Sequence, residues 1–391
     1  MNSSVSDSRP ILISWHRTPK STTSTPAGDV WLDSADGRGW KKAGWARIYL
    51  IQDGDHPLFD GTFTISTTRY EVKADESTAG DGNLSARKAQ MVAYRSFHDS
   101  NIDPIPSSKQ IECTSHSLDP EGISQRRPRR EYLQARESNS INGTGLIRTI
   151  GSTDGCSSSR RVAQVVIATD CTYTAGFNST DTLRRSLINM VNTASEVFEN
   201  TFNIALALQN LTFSDANCPQ SGSDLTLWNT KCSGQDLTGR LAQFADWRAS
   251  LSEDTNAYWT LMTVCSPLGS ELGKSYLSQL CNRRYGANLV AVAPIQWEVF
   301  VHETGHTFGA VHDCGVNECA ASTADCGRLS SSVCSTEGKY FMNMYSDLAY
   351  REFSPCTIGH VCGLLGSGGV DTSCLRDDTS NVSTSSRSSF S

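Results

Sequence analysis

Residues 299–314 read VFVHETGHTFGAVHDC. His302 and His306 stand four residues apart. On a helix that interval puts both imidazoles on one face, where two ring nitrogens can reach one ion. The preceding Trp297–Val301 suits a helix running into them. Glu303 follows the first histidine, beside the metal without having to bind it. Gly309 comes three residues after His306. A glycine adopts positive φ and ends a helix, so the chain can turn back. His312 then approaches the ion from a second direction. Three histidines with one open position suit a catalytic zinc ion rather than a closed structural site. Chance alone produces all five fixed positions about once in ten thousand chains of this length. We therefore read the three histidines as a ligand set rather than as incidental surface or core residues.

Upstream of this stretch the pattern is α/β. VAQVVIAT from Val162 is a buried-strand candidate. Ser179–Phe202 is a helix candidate, with Leu183, Leu187, Met190, Val191, Ala194, Val197 and Phe198 on one face. Ser179, Thr180 and Asp181 supply capping chemistry at its start. IALALQNLTF is a second strand, and Asp236–Leu251 a second helix with Leu237, Leu241, Phe244 and Ala245 inward. AYWTLMTV and ANLVAVA are further strands. This order predicts an α/β (α+β) domain over residues 162–376 with a twisted, mostly parallel sheet.

Residues 1–130 differ. WARIYLI, LFDGTFTI and RYEVKA alternate apolar and polar positions, which predicts a small β-rich region. Residues 131–161 are polar and read as a linker. Residues 377–391 are rich in Ser and Thr and read as a disordered tail. No internal repeat is evident.

The chain has 391 residues, a 38% hydrophobic and 19% charged composition and a net charge of -7. That balance fits soluble globular domains and argues against nucleic acid as a partner. No apolar run reaches the roughly 18 residues of a membrane span, so none is expected in this chain. Of 14 cysteines, thirteen lie between Cys156 and Cys374, and no C-x-x-C pair occurs. Disulfides in an oxidising compartment explain this better than zinc clusters do. A cytosolic or nuclear zinc protein would leave that cysteine usage unexplained. Sequons at Asn83, Asn142, Asn178, Asn210 and Asn381 agree with a secretory route.

H-E-x-x-H-x-x-G-x-x-H followed by a methionine turn resembles the metzincin pattern. Asp313, directly after the third histidine, resembles the adamalysin/reprolysin branch, the ADAM metalloproteases. In YFMNMYSD, Met342 fits the methionine turn, and Met344 is the alternative. FSPCTIGHVC from Phe353 is similar to the family's last catalytic-domain helix, with Ser354 and Pro355 suited to N-cap and N1. With ATDCTYTAGFN at the front, the chain looks most like the fungal ADAM group.

The resemblance implies one catalytic Zn2+ on His302, His306 and His312, with Glu303 as general base and then acid in peptide hydrolysis. Met342 would form a hydrophobic floor under the ligands. Substrates would be proteins or peptides. They would add as an extra strand to an edge strand expected at Ala287–Ala293, whose other reading is a buried core strand. A silent adhesion or interaction module that keeps the fold is the rival, though every catalytic position is retained. Residues 1–130 would be a partial propeptide. Its one thiol, Cys113, is a candidate zinc switch, a disulfide partner of the catalytic domain or a free thiol. Arg127-Pro128-Arg129-Arg130 has the Arg-x-Arg-Arg form that convertase-type proteases cut. Arg130 is thus the expected processing position and Arg161 the alternative. The expected location is the secretory pathway, extracellular space or cell surface. No signal peptide opens this chain, so an upstream signal sequence and more propeptide are expected. Several departures from the family pattern leave the disulfide connectivity open, especially between His312 and Met342.

Overall fold

The computed structural model describes residues 11–16, 27–33, 39–52, 58–66, 68–74, 91–96, 149–219, 226–232, 236–266, 271–293, 296–313, 340–343 and 352–378. They fall into two compact units.

The first unit carries a six-stranded antiparallel sheet: β1 (Ile11–His16), β2 (Ala27–Asp33), β3 (Trp40–Gln52), β4 (Leu58–Ile65), β5 (Thr68–Ala74) and β6 (Met91–Ser96). Each strand pairs with its neighbour in the chain. Val30, Ala46, Ile48, Leu50, Phe59, Phe63 and Val72 form its core. The alternation of Ala46, Ile48 and Leu50 along β3 turns every second residue inward. The β-rich region read from the sequence is this sheet, although β1, β2 and β6 carried too weak a pattern to be picked out.

The second unit holds a mixed sheet. Its strands are β7 (Arg161–Thr169), β8 (Ile204–Phe213), β9 (Tyr258–Thr263), β10 (Gly273–Ser275), β11 (Ala287–Ala291) and β12 (Arg376–Asp377). The lateral order is β10-β11-β9-β7, with β8 on β7 and β12 beside the start of β7. β7 pairs in parallel with β8 and β9, and β9 with β11; β10 runs antiparallel to β11. The continuous apolar runs of β7 and β9 suit strands buried on both faces.

Among the described residues there are four helices of three turns or more. α1 (Thr180–Phe202) has Ser179 as N-cap, accepting from the Thr182 amide, and ends on Asn203 in the left-handed region. α2 (Leu237–Ser250) starts on Asp236, which accepts from the Gly239 amide. Its inward residues Leu237, Leu241, Phe244 and Ala245 join Trp228, Trp259, Leu261 and Leu289 in one core cluster. α3 (Gln296–Thr307) carries the first two histidines. α4 (Pro355–Ser367) has Ser354 as N-cap, Pro355 in its first turn and Gly368 as a left-handed C-cap.

The strand expected at the sheet edge is corrected. Ala287–Ala291 lies between β9 and β10, inside the sheet, so the buried-strand reading is the right one. The edge position belongs to β10, whose three residues are too few to show a period. The polar linker read over residues 131–161 also differs in its last part. From Thr149 onward the chain is packed on α4, and β7 begins at Arg161.

Disulfides join Cys156 to Cys362, Cys171 to Cys218, Cys232 to Cys265 and Cys281 to Cys374, and Cys356 is also disulfide-bonded. The bridges expected between His312 and Met342 lie outside the described residues, as do Cys113, Arg130 and Met344. Asn178 and Asn210 are exposed. Among the described residues no helix is long and apolar enough to cross a membrane.

Candidate metal centre

α3 delivers His302 and His306 from successive turns, and the chain beyond it returns His312 to them. Their Nε2 atoms lie 3.0 Å apart between His306 and His302, and 3.2 Å from His312 to each. All three rings are buried. His302 Nδ1 lies 2.6 Å from the Phe341 carbonyl and His306 Nδ1 lies 2.7 Å from the Ala310 carbonyl. A carbonyl only accepts, so each Nδ1 carries the proton and each Nε2 keeps its lone pair. Burial holds both imidazoles neutral: His302 is pushed down to about 4 and His306 well below its ordinary value. Two neutral imidazoles oriented by carbonyls behind them, joined by the His312 ring, are a donor set that fits a zinc ion with one coordination position open.

The turn that returns His312 depends on Gly309, whose φ is 97°. That conformation disfavours any side chain. Space is short too, since a Cβ there would come within 2.6 Å of Leu364 Cδ1. The Gly309 and Ala310 amides donate to the carbonyls of His306 and Gly305, closing the end of α3.

Met342 is fully buried beneath the helix. A Cβ on Gly305 would approach its sulfur to 2.7 Å, so the helix rests directly on the thioether. The same turn is pinned from both sides. Phe341 supplies the carbonyl for His302, and the Met342 carbonyl accepts from the Asp313 amide at 2.6 Å. Phe341 also packs edge-on against Trp297 and Phe353. Asp313 continues the tie to α4: its Oδ1 accepts from the hydroxyls of Ser354 and Thr357. Burial raises the Asp313 carboxyl to about 7, against the pull of those two hydrogen bonds.

Glu303 is buried, and neither carboxylate oxygen has a hydrogen-bond partner among the described residues. Burial pushes its pKa well above the usual range; Lys274 opposes that and Glu271 adds to it. The carboxylate faces the edge strand. A Cβ on Gly273 would lie 2.3 Å from Glu303 Oε1, so only glycine lets β10 come this close. Ser275, two residues along β10, hydrogen-bonds Thr307 of α3 at 3.1 Å.

The structure thus brings together His302, Glu303, His306, Gly309, His312, Asp313 and Met342. Gly273, Gly305, the Phe341 carbonyl and the tie of Ser354 and Thr357 to Asp313 escaped the sequence reading. Gly305 carried a signal, being a small residue between two ligands on a helix. Gly273 carried none that distinguishes it from a loop glycine.

A mostly parallel sheet whose antiparallel edge strand abuts a carboxylate, next to three convergent imidazoles, defines a metallopeptidase domain. The model of the metallopeptidase family M12B, reprolysin-like, matches residues 159–368, more than half of the chain, and the chain belongs to that family. It is 37% identical to the disintegrin and metalloproteinase domain-containing protein B of Aspergillus fumigatus, over 88% of this chain and 50% of that one. The protein of that name in Arthroderma benhamiae is 31% identical over 89% of this chain and 50% of its own length. The zinc metalloprotease mde10 of Schizosaccharomyces pombe is 23% identical over 54% of this chain and 46% of its own. The chain spans about half the length of the curated relatives it matches. Metallopeptidases of the M12B family depend on zinc and act on proteins.

Proposed function

We propose that this chain is a zinc-dependent endopeptidase, made as a zymogen, that cuts internal peptide bonds of proteins. The observation that carries the reading is the buried Glu303 carboxylate, without a hydrogen-bond partner among the described residues, on the helix of His302 and His306 and against β10. His302, His306 and His312 would hold the ion. When bound, zinc supplies a Lewis acid that polarises the scissile carbonyl and acidifies the attacking water. Glu303 takes the proton of that water and gives it to the leaving amine. Met342 holds the ligand helix from below, and Gly309 sets the turn that returns His312.

Substrate adds along β10, the last strand of the sheet among the described residues, using backbone hydrogen bonds, with its reacting carbonyl carried past Glu303. Gly273 supports this reading because it removes the side chain that would separate substrate from the general base. The sheet of residues 1–102 belongs to the propeptide. Cys113 is a zinc-switch candidate, and Arg130 is the processing position for a convertase-type protease. Maturation and secretion fit the disulfides and the exposed sequons Asn178 and Asn210.

The test compares the secreted, processed protein with Glu303→Ala on a diverse peptide mixture, with and without a chelator. We expect cleavage that the chelator abolishes and that falls by about 100-fold or more in the variant. Cleavage persisting in Glu303→Ala sinks the mechanism. Zinc binding without cleavage in either protein supports a silent module instead.

A further inference from the structure

The segment 149–161 has no role in the chemistry above, yet its backbone is fastened to the second unit at several points. Cys156 is bonded to Cys362, in the middle of α4. Gly359 and Gly366, two turns apart, share the face of α4 that carries Cys362. Backbone sits directly on both glycines. A Cβ on Gly359 would come within 1.8 Å of the Thr149 carbonyl oxygen, and one on Gly366 within 2.4 Å of Gly155 Cα. A Cβ on Gly155 would meet the Cys362 carbonyl at 2.2 Å. The Gly151 amide donates to the Pro355 carbonyl at 2.8 Å. Asn203 Nδ2 donates to the Ser157 carbonyl at 3.0 Å.

The dibasic pair that follows is equally committed. Arg160 pairs with Glu199 at 2.5 Å and Asp378 at 3.2 Å. Its carbonyl accepts from the Asp378 amide at 3.1 Å. Arg161 opens β7, with β8 on one side and β12 on the other. Its amide donates to Asn203, and its guanidinium donates to the Leu375 carbonyl at 2.6 Å. A protease binds its target as an extended strand with free backbone groups. Here the backbone groups around the Arg161–Val162 bond are already used, although the two side chains reach solvent.

From these contacts, and on the reading of the chain as a zymogen, we infer that residues 149–161 are a permanent N-terminal arm of the mature catalytic domain. The maturation cut falls N-terminal to Thr149, and Arg160-Arg161 is a structural latch rather than a processing site. The disulfide gives the position of the cut a consequence. A cut after Arg161 would leave everything upstream tethered through Cys156, so the propeptide could leave only after reduction. A cut upstream of Thr149 leaves no tether through Cys156. The arm then keeps bracing α4, whose first turn holds Asp313 next to a metal ligand. The Arg161 alternative raised by the sequence is therefore set aside.

The experiment uses the full chain carrying Glu303→Ala, so that self-cleavage cannot blur the result. The folded protein is digested with a protease specific for paired basic residues. Products are read by N-terminal sequencing and by gels with and without reductant. We expect every product of the catalytic domain to begin N-terminal to Thr149. The Arg161–Val162 bond should be cut at least about 100-fold more slowly in the folded oxidised protein than after reduction and denaturation. A folded product beginning at Arg161 or Val162, or loss of residues 149–160 without reductant, overturns the inference. Neither readout depends on peptidase activity. A failure of the zymogen reading, seen as unchanged activity on processing of the wild-type chain, is therefore separable from a failure of the arm.

Discussion

Gly305 sits on Met342: a side chain at 305 would drive its first carbon to 2.7 Å from the methionine sulfur. The contact lies under the helical turn between the two ligands His302 and His306. Met342 is buried there, so Met342→Ala opens a cavity beneath the imidazole cluster. We expect a loss of about 2–5 kcal/mol in stability. Urea unfolding and zinc competition with a chromogenic chelator should show lower stability and weaker zinc binding together. A change in neither removes the thioether's supporting role.

Gly273→Ala tests the close approach of β10 to the Glu303 carboxylate. The added methyl would overlap the Glu303 carboxylate, at 2.3 Å from Oε1, so strand or carboxylate must shift. A displacement of that size typically costs about 100-fold in rate. We expect kcat/KM on a peptide substrate to fall by that factor while zinc content stays at one ion per chain. Equal activity in the two proteins contradicts the placement of substrate along this strand.

Asp313 makes a pH prediction for the metal-free protein. Its carboxyl is raised from 3.8 to about 7 in the fold, chiefly by burial. Between those values the folded state holds a proton that the unfolded state has released. Stability from this group therefore falls as pH rises, by about 1.4 kcal/mol per unit. Asp313→Asn keeps an acceptor for Ser354 and Thr357 and removes the titration. Chelated wild-type protein should lose about 2 kcal/mol relative to the variant between pH 5 and pH 7. Parallel stability profiles would disprove the shift.

Away from the metal, Arg240 and Asp170 form a buried ion pair at 3.0 Å. Asp170 also caps the helical turn Cys171–Thr174 and accepts from Thr263 at 2.5 Å. Arg240 additionally donates to the Trp228, Thr230 and Lys231 carbonyls. Arg240→Ala leaves a buried carboxylate without its cation. A loss of about 3–5 kcal/mol is expected, read as a lower urea midpoint or as failed secretion. Wild-type stability in this variant would mean that the pair contributes nothing.

Local patterns carried much of the second unit. β8 runs over the residues read for it, as β4 does in the first unit, and the caps Ser179 and Ser354 stand where the side-chain chemistry placed them. Such signals are local, because a helix face or a cap is complete within one or two turns. The ligand set was legible for the same reason. His302, Glu303 and His306 share one helix, and Gly309 with His312 follows within six residues.

Contacts between distant segments were not legible. Nothing near Gly273 indicates that its three-residue strand takes the sheet edge and displaces β11 to the interior. The partner of Cys156 lies 206 residues away, and the arm it fastens has the composition of a linker. The carbonyl that orients His302 belongs to Phe341, 39 residues further along. Sequence alone therefore determined which residues offer metal-binding and proton-transfer chemistry, since spacing on one helix brings them together. The folded chain determined what holds them there, which strand ends the sheet beside Glu303 and which backbone groups around Arg161 are already paired. Those outcomes depend on close packing between segments that approach only when the whole domain has assembled.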